Sequence, residues 1–380
     1  MAKIYKLQNQ TKHYEWGSKE MLPQFLGIEN VKNLSYAEMW MGTHSGAPSR
    51  AESGGTSINL KDIAGELPFL FKLLGVGEPL SVQAHPSKTN AADGFRRENE
   101  AGLALNAPLR NYKDTNHKPE IICAITPFTL MAGFKEPDQI HRSLEEFLSV
   151  LPQLKEVVDP LIEALYTGSL AVFFRNLYLF SDFGREYFST LITNAQPEKN
   201  GKELSQEQWR LMKDFASHYP GDPAILSPLF LNIVTLKPFQ AIYIPEGVLH
   251  AYLYGLGAEL MANSDNSIRG GLTPKHVNIP ELMNVTDFKP FFAGVFSPGN
   301  SANYCYPSLC DDFSLSIISS KEGETELCEK GPVICLVVEG ECEISGSKFK
   351  KGESFFIPDI TEKPAAGGNY TLFTAASGDL

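Results

Sequence analysis

Leu229-Phe230-Leu231-Asn232-Ile233-Val234-Thr235-Leu236, Ala241-Ile242-Tyr243-Ile244-Pro245 and Glu246-Gly247-Val248-Leu249-His250-Ala251-Tyr252 follow one another with short gaps. Two apolar runs of strand length are followed by a Pro-x-Gly turn, and the turn delivers a histidine at the start of a third run. The same texture occupies the chain before about Phe134, in Pro68-Phe69-Leu70-Phe71-Lys72-Leu73-Leu74, Leu80-Ser81-Val82-Gln83-Ala84-His85 and Glu120-Ile121-Ile122-Cys123-Ala124-Ile125. It returns late, where Val333-Ile334-Cys335-Leu336-Val337-Val338-Glu339-Gly340 leads to Gly352-Glu353-Ser354-Phe355-Phe356-Ile357-Pro358. Turn signals at roughly ten-residue spacing predict a sandwich or jelly roll, not a doubly wound sheet.

From Pro137 the period changes. Ile140, Leu144, Phe147, Leu148, Leu151, Leu154, Val158, Leu161, Ile162 and Leu165 recur in steps of three and four, an apolar helical face. Pro137 suits a first turn, and Pro152 and Pro160 are expected to break the run into pieces. Ser205-Gln206-Glu207-Gln208 reads as a capping box for a later helix with Trp209, Met212 and Phe215 on its buried face. The expected organisation is a mainly β chain with a helical insertion. Residues 1–136 and 221–290 form one β domain, 137–220 the helical insertion and 291–380 a C-terminal β domain.

Composition bounds the function. Among 380 residues, 43% are hydrophobic and 21% charged, which describes a globular chain with a core. The formal charge is −12, which disfavours nucleic acid or an anionic membrane as partner. The N-terminal residues lack the apolar core of a secretory signal, and the longest apolar stretch, Ile121 to Phe134, is too short to span a bilayer. Cys123, Cys305, Cys310, Cys328, Cys335 and Cys342 form no CxxC pair and read as buried reduced thiols of a cytoplasmic protein.

Gln83 and His85 are two apart in an expected strand, so they share a face. Glu120 follows Asn116-His117-Lys118-Pro119 at the entry to another strand, and His250 opens a third. Two imidazoles, a carboxylate and an amide oxygen projecting into one barrel suit a divalent metal with an open position. Gly255-Leu256-Gly257-Ala258-Glu259 lacks the third glycine of a dinucleotide fingerprint and is expected to be a turn. Arg96 and Arg97 read as a solvated helical face, and Trp40 and Trp209 as core aromatics.

Gln83-Ala84-His85-Pro86, Asn116-His117-Lys118-Pro119-Glu120, His250-Ala251-Tyr252-Leu253 and the run from Met261-Ala262-Asn263-Ser264-Asp265-Asn266 through Arg269 to Gly271-Leu272-Thr273-Pro274-Lys275 closely resemble the signatures of the type I mannose-6-phosphate isomerase family. Tyr14-Glu15-Trp16-Gly17 and Glu38-Met39-Trp40-Met41-Gly42-Thr43-His44 also look like that family's N-terminal segments. The resemblance covers essentially the whole chain. It implies cupin-type jelly-roll barrels, one in the catalytic domain and a cupin-like one at the C-terminus. It implies one Zn2+ per chain held by Gln83, His85, Glu120 and His250, and a catalytic arginine at Arg269. By the same matching, Lys118 and Glu259 join Arg269 as catalytic candidates, while Trp16, Lys72, Ser81, His117, Asp265 and Lys275 fall at the substrate pocket. One departure is Lys237-Pro238-Phe239-Gln240, where the family usually has Pro-Gly-Glu, which weakens the expectation of a turn there.

The implied reaction interconverts mannose 6-phosphate and fructose 6-phosphate through a cis-enediol or enediolate. Arg269 suits charge stabilisation, Glu259 proton transfer, and Lys118 orientation of a substrate oxygen or proton shuttling. Ser81, Lys72 and Lys275 are the candidates for phosphate. The expected partners are these small sugar phosphates, bound by a monomer. Three alternatives remain at this level: an isomerase of another sugar phosphate, a non-catalytic metal-storing or sugar-phosphate-sensing cupin, and an iron cupin oxygenase, since two His and a carboxylate also hold Fe(II).

Overall fold

The computed structural model describes residues 3–167, 169–179, 182–197, 202–321, 324–326, 331–358 and 364–378. Every paired strand in its two large sheets is antiparallel. Cys328 lies outside the described residues, as do parts of the expected helical insertion.

One strand organises the first sheet. His250–Ala262 runs through residues 255–259, where a turn was expected. Its first half pairs with Val82–Ala84 on one side and Phe128–Phe134 on the other. Its second half pairs with Phe69–Val76 and Glu120–Ala124. The partners change beside an irregularity at Tyr252–Tyr254, followed by Gly255 at φ 129°. A Cβ on Gly255 would lie 2.6 Å from the Pro127 carbonyl oxygen, and one on Gly257 would lie 2.8 Å from Ile122. These glycines admit neighbouring strands to a bent strand, which is why they do not mark a turn. An apolar cluster including Leu74, Ile122, Leu130 and Ile242 fills the space between the two halves.

Phe69–Val76 is buried along its whole length. Phe69, Phe71 and Leu73 face a core shared with Leu315, Leu336, Phe356 and Phe373 of the second sheet, while Lys72 and Leu74 face the other way. Period-two alternation therefore explains the continuous apolar run and isolates Lys72 as the charged residue within it. The second sheet contains Ser314–Ser320, Val333–Ile344, Ser354–Ile357 and Ala365–Ala376. It also takes in Tyr5–Gln8, Arg50–Ser53 and Thr56–Asn59 from the start of the chain; Tyr5, for example, stands opposite Phe356.

Helices Pro137–Val150, Lys155–Tyr166, Leu170–Leu177, Asp182–Asn194 and Gln206–His218 follow the periodic segment. The Ser205 hydroxyl accepts from the Gln208 N–H while the Gln208 side chain accepts from Ser205, closing the capping box. Trp209, Met212 and Phe215 are buried, with Trp209 stacked on Phe147 at 5.5 Å. Pro152 starts a separate 3-10 turn, but Pro160 sits inside Lys155–Tyr166 without ending it. Burial of Val158, Leu161 and Ala164 around it offsets the hydrogen bond that proline cannot make.

Lys237–Gln240 does turn: the Gln240 N–H donates to the Lys237 carbonyl, and Phe239 takes φ 66° at the position that favours glycine. Tyr306 donates to the Phe239 carbonyl and Phe373 packs on its ring, which hold the unfavourable backbone in place. The described cysteines are free thiols. Cys123, Cys335 and Cys342 are buried as expected, whereas Cys305 is exposed because its short strand lies at a sheet edge. Among the described residues no helix is long and apolar enough to cross a membrane.

Candidate active site

Neighbouring strands set the site as a row. His250 stands opposite Gln83, and Gln83 stands opposite Arg269 on Ile268–Gly271. Cross-strand partners share a face, so the three side chains project together. Glu120 arrives from the other half of the sheet, opposite Met261 on the same long strand that begins with His250.

His85, Glu120 and His250 form a buried cluster whose ligand atoms lie within 4.8 Å of one another. His85 Nε2 is 3.2 Å from Glu120 Oε1, and His250 Nε2 is 3.4 Å from Oε2. Each imidazole is anchored by its other nitrogen: His85 Nδ1 donates to the Asn266 carbonyl at 2.7 Å, and His250 Nδ1 to that of Val248 at 2.9 Å. Those anchors select the tautomer that leaves both Nε2 lone pairs aimed at Glu120. His250 Nε2 is fully buried with no hydrogen-bond partner among the described residues, an arrangement that a protein interior avoids unless something coordinates the atom. Burial and Lys118 push His85 down to about 4, so it is neutral, as a ligand must be. Burial alone would raise Glu120, but the Lys118 ammonium beside it holds its carboxyl well below the usual range. The donor set fits a divalent ion, with Gln83 in register beside it.

A cleft of about 600 Å³ opens above this cluster. It is lined by Trp16, Lys72, Ser81, Gln83, Lys118, Glu120, Glu259, Asp265, Arg269 and Lys275, so most of the expected pocket residues come together there. Lys72 Nζ contacts Glu259 at 3.0 Å in a buried pair. Burial alone would lower Lys72, but Glu259, Glu38 and Glu120 outweigh it and keep the ammonium charged. Glu259 is held above the ordinary carboxylate range by burial, with Glu120 adding to it and Lys72 opposing it. Lys118 contacts Glu120 and lies 3.4 Å from His85 Nε2. Asp265 pairs with His44 at 3.4 Å.

Arg269 makes no side-chain hydrogen bond or ion pair with the described residues, and burial lowers its pKa. Lys275 at the rim is lowered by burial and by Arg269 itself. Two cations that repel each other without a carboxylate between them form a receptor for an anion.

His117 is not brought to the cleft. It is nearly buried between Glu246 and Asp312, with Nε2 2.7 Å from Asp312 and Nδ1 3.3 Å from Glu246. Both ring nitrogens are occupied by carboxylates, which explains its position away from the substrate space. Trp40 is buried against Ala47, Leu70 and Met261, as expected of a core aromatic, and it also borders the cleft: its indole N–H donates to Glu38, and Lys72 lies over its ring at 5.2 Å. The alternation of Glu38 and Trp40 on one strand was the available signal. Tyr252, which donates to Glu120 Oε2 at 3.1 Å, was missed because a tyrosine in a strand normally reads as core. Arg96 lies on an exposed helical face with Asp93 and Glu100, as expected.

An imidazole–carboxylate cluster at the base of a cation-rimmed cleft, carried on antiparallel strands, defines the class of metal-centred enzymes with a β scaffold. Residues 4–137 match the family model for the catalytic domain of phosphomannose isomerase type I. The chain is 35% identical over 378 residues to the mannose-6-phosphate isomerase of Shigella flexneri, covering 93% of this chain and 94% of that protein. It is 30% identical to mannose-6-phosphate isomerase 2 of Arabidopsis thaliana, with 96% and 91% covered. A zinc-bound crystal structure of mannose 6-phosphate isomerase superposes with a TM-score of 0.86 at 33% identity over 100% of both chains. The chain belongs to the type I mannose-6-phosphate isomerase family.

Proposed function

We propose that this protein reversibly isomerises D-mannose 6-phosphate and D-fructose 6-phosphate by proton transfer between C1 and C2 through a cis-enediol or enediolate. The observation that carries the reading is Arg269, without a side-chain partner among the described residues, in register with Gln83 and one strand further from His250. Gln83, His85, Glu120 and His250 would hold one Zn2+ per chain. When bound, the ion supplies a Lewis acid toward the adjacent substrate oxygens.

Every other role belongs to the chain. Glu259, with its raised affinity for protons, moves the proton between carbons, and the Lys72 ammonium against it keeps the carboxylate accessible. Arg269 faces the oxygens where enediolate charge develops. Lys118 orients a substrate oxygen beside Glu120. Lys275, with Ser81, meets the phosphate, while Trp16 and Asp265 bound the sugar. Lys72, engaged by Glu259, supports the proton-transfer carboxylate more directly than it would a phosphate.

The scaffold reading keeps cupin-type jelly rolls at residues 1–136 with 221–290 and at 291–380, separated by the helical insertion 137–220. The three early strands that complete the second sheet join the first region to the last. A monomer in the cytoplasm is the simplest setting for a chain with this charge and free described cysteines.

Incubating the purified protein with fructose 6-phosphate and following products by NMR, alongside its metal content by mass spectrometry, tests the reading. Mannose 6-phosphate and near-stoichiometric zinc are expected. Glucose 6-phosphate as the product would indicate another sugar-phosphate isomerase, and no product with bound iron an oxygenase. Arg269→Ala should lower kcat by about 10²–10³-fold and weaken substrate binding far less.

A further inference from the structure

Arg269 is followed at once by unusual backbone. The register between Ile268–Gly271 and Val82–Ala84 shifts between Arg269 and Gly271, so Gly270 is a bulge residue. Gly271 has φ 137°, and Leu272, buried and bearing a side chain, has φ 52°. A bulge re-aims the side chain beside it, and a non-glycine residue in the left-handed region persists only where its surroundings hold it.

The restraints come from the helical insertion and the segment that leaves it. Tyr178, capping helix Leu170–Leu177, donates its hydroxyl to the Gly270 carbonyl. Burial, with Asp222 nearby, raises its pKa well above the ordinary value, so the phenol remains a donor. Asp222 Oδ2 accepts from the Leu272 N–H at 2.7 Å while Oδ1 accepts from Ala224 at 2.8 Å. The approach is close enough to demand glycine at position 271 and leaves little room at 270. A Cβ on Gly271 would lie 2.4 Å from Asp222 Oδ1, and one on Gly270 would lie 2.9 Å from Leu282 and 3.3 Å from the Tyr178 hydroxyl. The Arg269 guanidinium, by contrast, has no side-chain partner among the described residues, so its aim depends on this backbone.

We infer that Tyr178 and Asp222 are positioning residues for Arg269: the helical insertion grips the bulge after the arginine and aims its guanidinium across Gln83 into the cleft. The inference rests on the role of Arg269 proposed above. Neither residue lines the main cleft, and neither touches the reacting atoms.

Tyr178→Phe removes one hydroxyl and preserves the ring. Asp222→Asn preserves shape but leaves one acceptor oxygen for two N–H groups. Each should lower kcat for fructose 6-phosphate by about tenfold, with KM within about a factor of three and thermal unfolding nearly unchanged. In an Arg269→Ala background Tyr178→Phe should cost nothing further, because its effect passes through the missing side chain. The Arg269 Nε–H resonance, assigned by its loss in Arg269→Lys, should shift in both single variants. An additive loss in the Arg269→Ala background, or an unmoved resonance, would overturn the positioning role. If Arg269→Ala proves fully active while the resonance still shifts, positioning stands and the chemical role of Arg269 is what fails.

Discussion

The two large sheets differ most in what their strands point inward. Between Val333–Ile344, Ser354–Ile357 and Ala365–Ala376 the interior is Val333, Cys335, Val337, Phe355, Ile357 and Leu372. In the first sheet the corresponding kind of buried surface carries Lys72, Lys118, Glu120, Glu259, His85 and His250. Burying an ionisable group costs several kcal/mol unless it is paired. The first sheet meets that requirement with Lys72 against Glu259, Lys118 against Glu120, and carbonyl anchors for both histidines. A β scaffold is therefore indifferent to chemistry; activity enters where apolar inward positions are exchanged for groups that satisfy one another only in part. Among the described residues, His250 Nε2 without a hydrogen bond and Arg269 without a side-chain partner are where that satisfaction stops.

The sharpest way to break this contrast is to remove a ligand. His250→Ala or His85→Ala should abolish turnover and zinc retention, a loss well beyond the 10- to 100-fold associated with orienting groups. Full zinc occupancy in both variants, measured on dialysed protein, would show that the cluster is a satisfied core feature like those of the second sheet. Gln83→Ala should be milder, since water can replace an amide oxygen.

The second sheet should respond in the opposite currency. Phe355→Ala, which opens the stack with Phe349 at 4.3 Å, should cost about 3–5 kcal/mol in urea unfolding and leave kcat unchanged. A large fall in kcat at full folding would show that the two sheets are coupled in catalysis.

Much of this division was legible in the residues. Short apolar runs bounded by turn residues indicated strands, the steps of three and four from Pro137 marked helices, and Lys72 was placed at the pocket by the family resemblance. Local pattern failed where distant segments decide conformation. Gly255 and Gly257 look like turn residues because nothing nearby in sequence reveals the strands that crowd them. Tyr5–Gln8 carries no mark of its partner Ser354–Ile357, near the other end of the chain. His117 was drawn to the substrate pocket by its motif, whereas its carboxylate partner Asp312 is 195 residues away.

A conversion experiment sharpens the comparison further. Lys72→Met alone strands Glu259 in the interior and should destabilise by about 3 kcal/mol. Adding Glu259→Leu turns the pair into an apolar contact like those of the second sheet. The double variant should regain most of that stability while remaining inactive. Failure to regain it in urea unfolding would mean that the pair organises the sheet as well as the chemistry.

The smallest expected effect concerns the ion-pair bridge at His117, which joins the start of the Glu120 strand to the turn at Glu246 and to Asp312 near the second sheet. Burial alone would lower His117, but Asp312 and Glu246 prevail and raise it to about 9. Its folded value thus exceeds the unfolded value of about 6.5, so its stabilisation is complete below pH 6.5 and is lost as pH rises through about 9. Asp312 and Glu246 are held below their ordinary values by hydrogen bonding to His117, with Lys88 contributing, so their share is present at neutral pH and is lost only on acidification. Wild type should therefore exceed His117→Gln by on the order of 2 kcal/mol near pH 6, and that gap should close by about pH 10. Thermal unfolding of the two proteins across this range measures the gap directly. A gap that stays constant would mean that His117 contributes through packing alone, and that the bridge is as insensitive to protons as the apolar interior beside it.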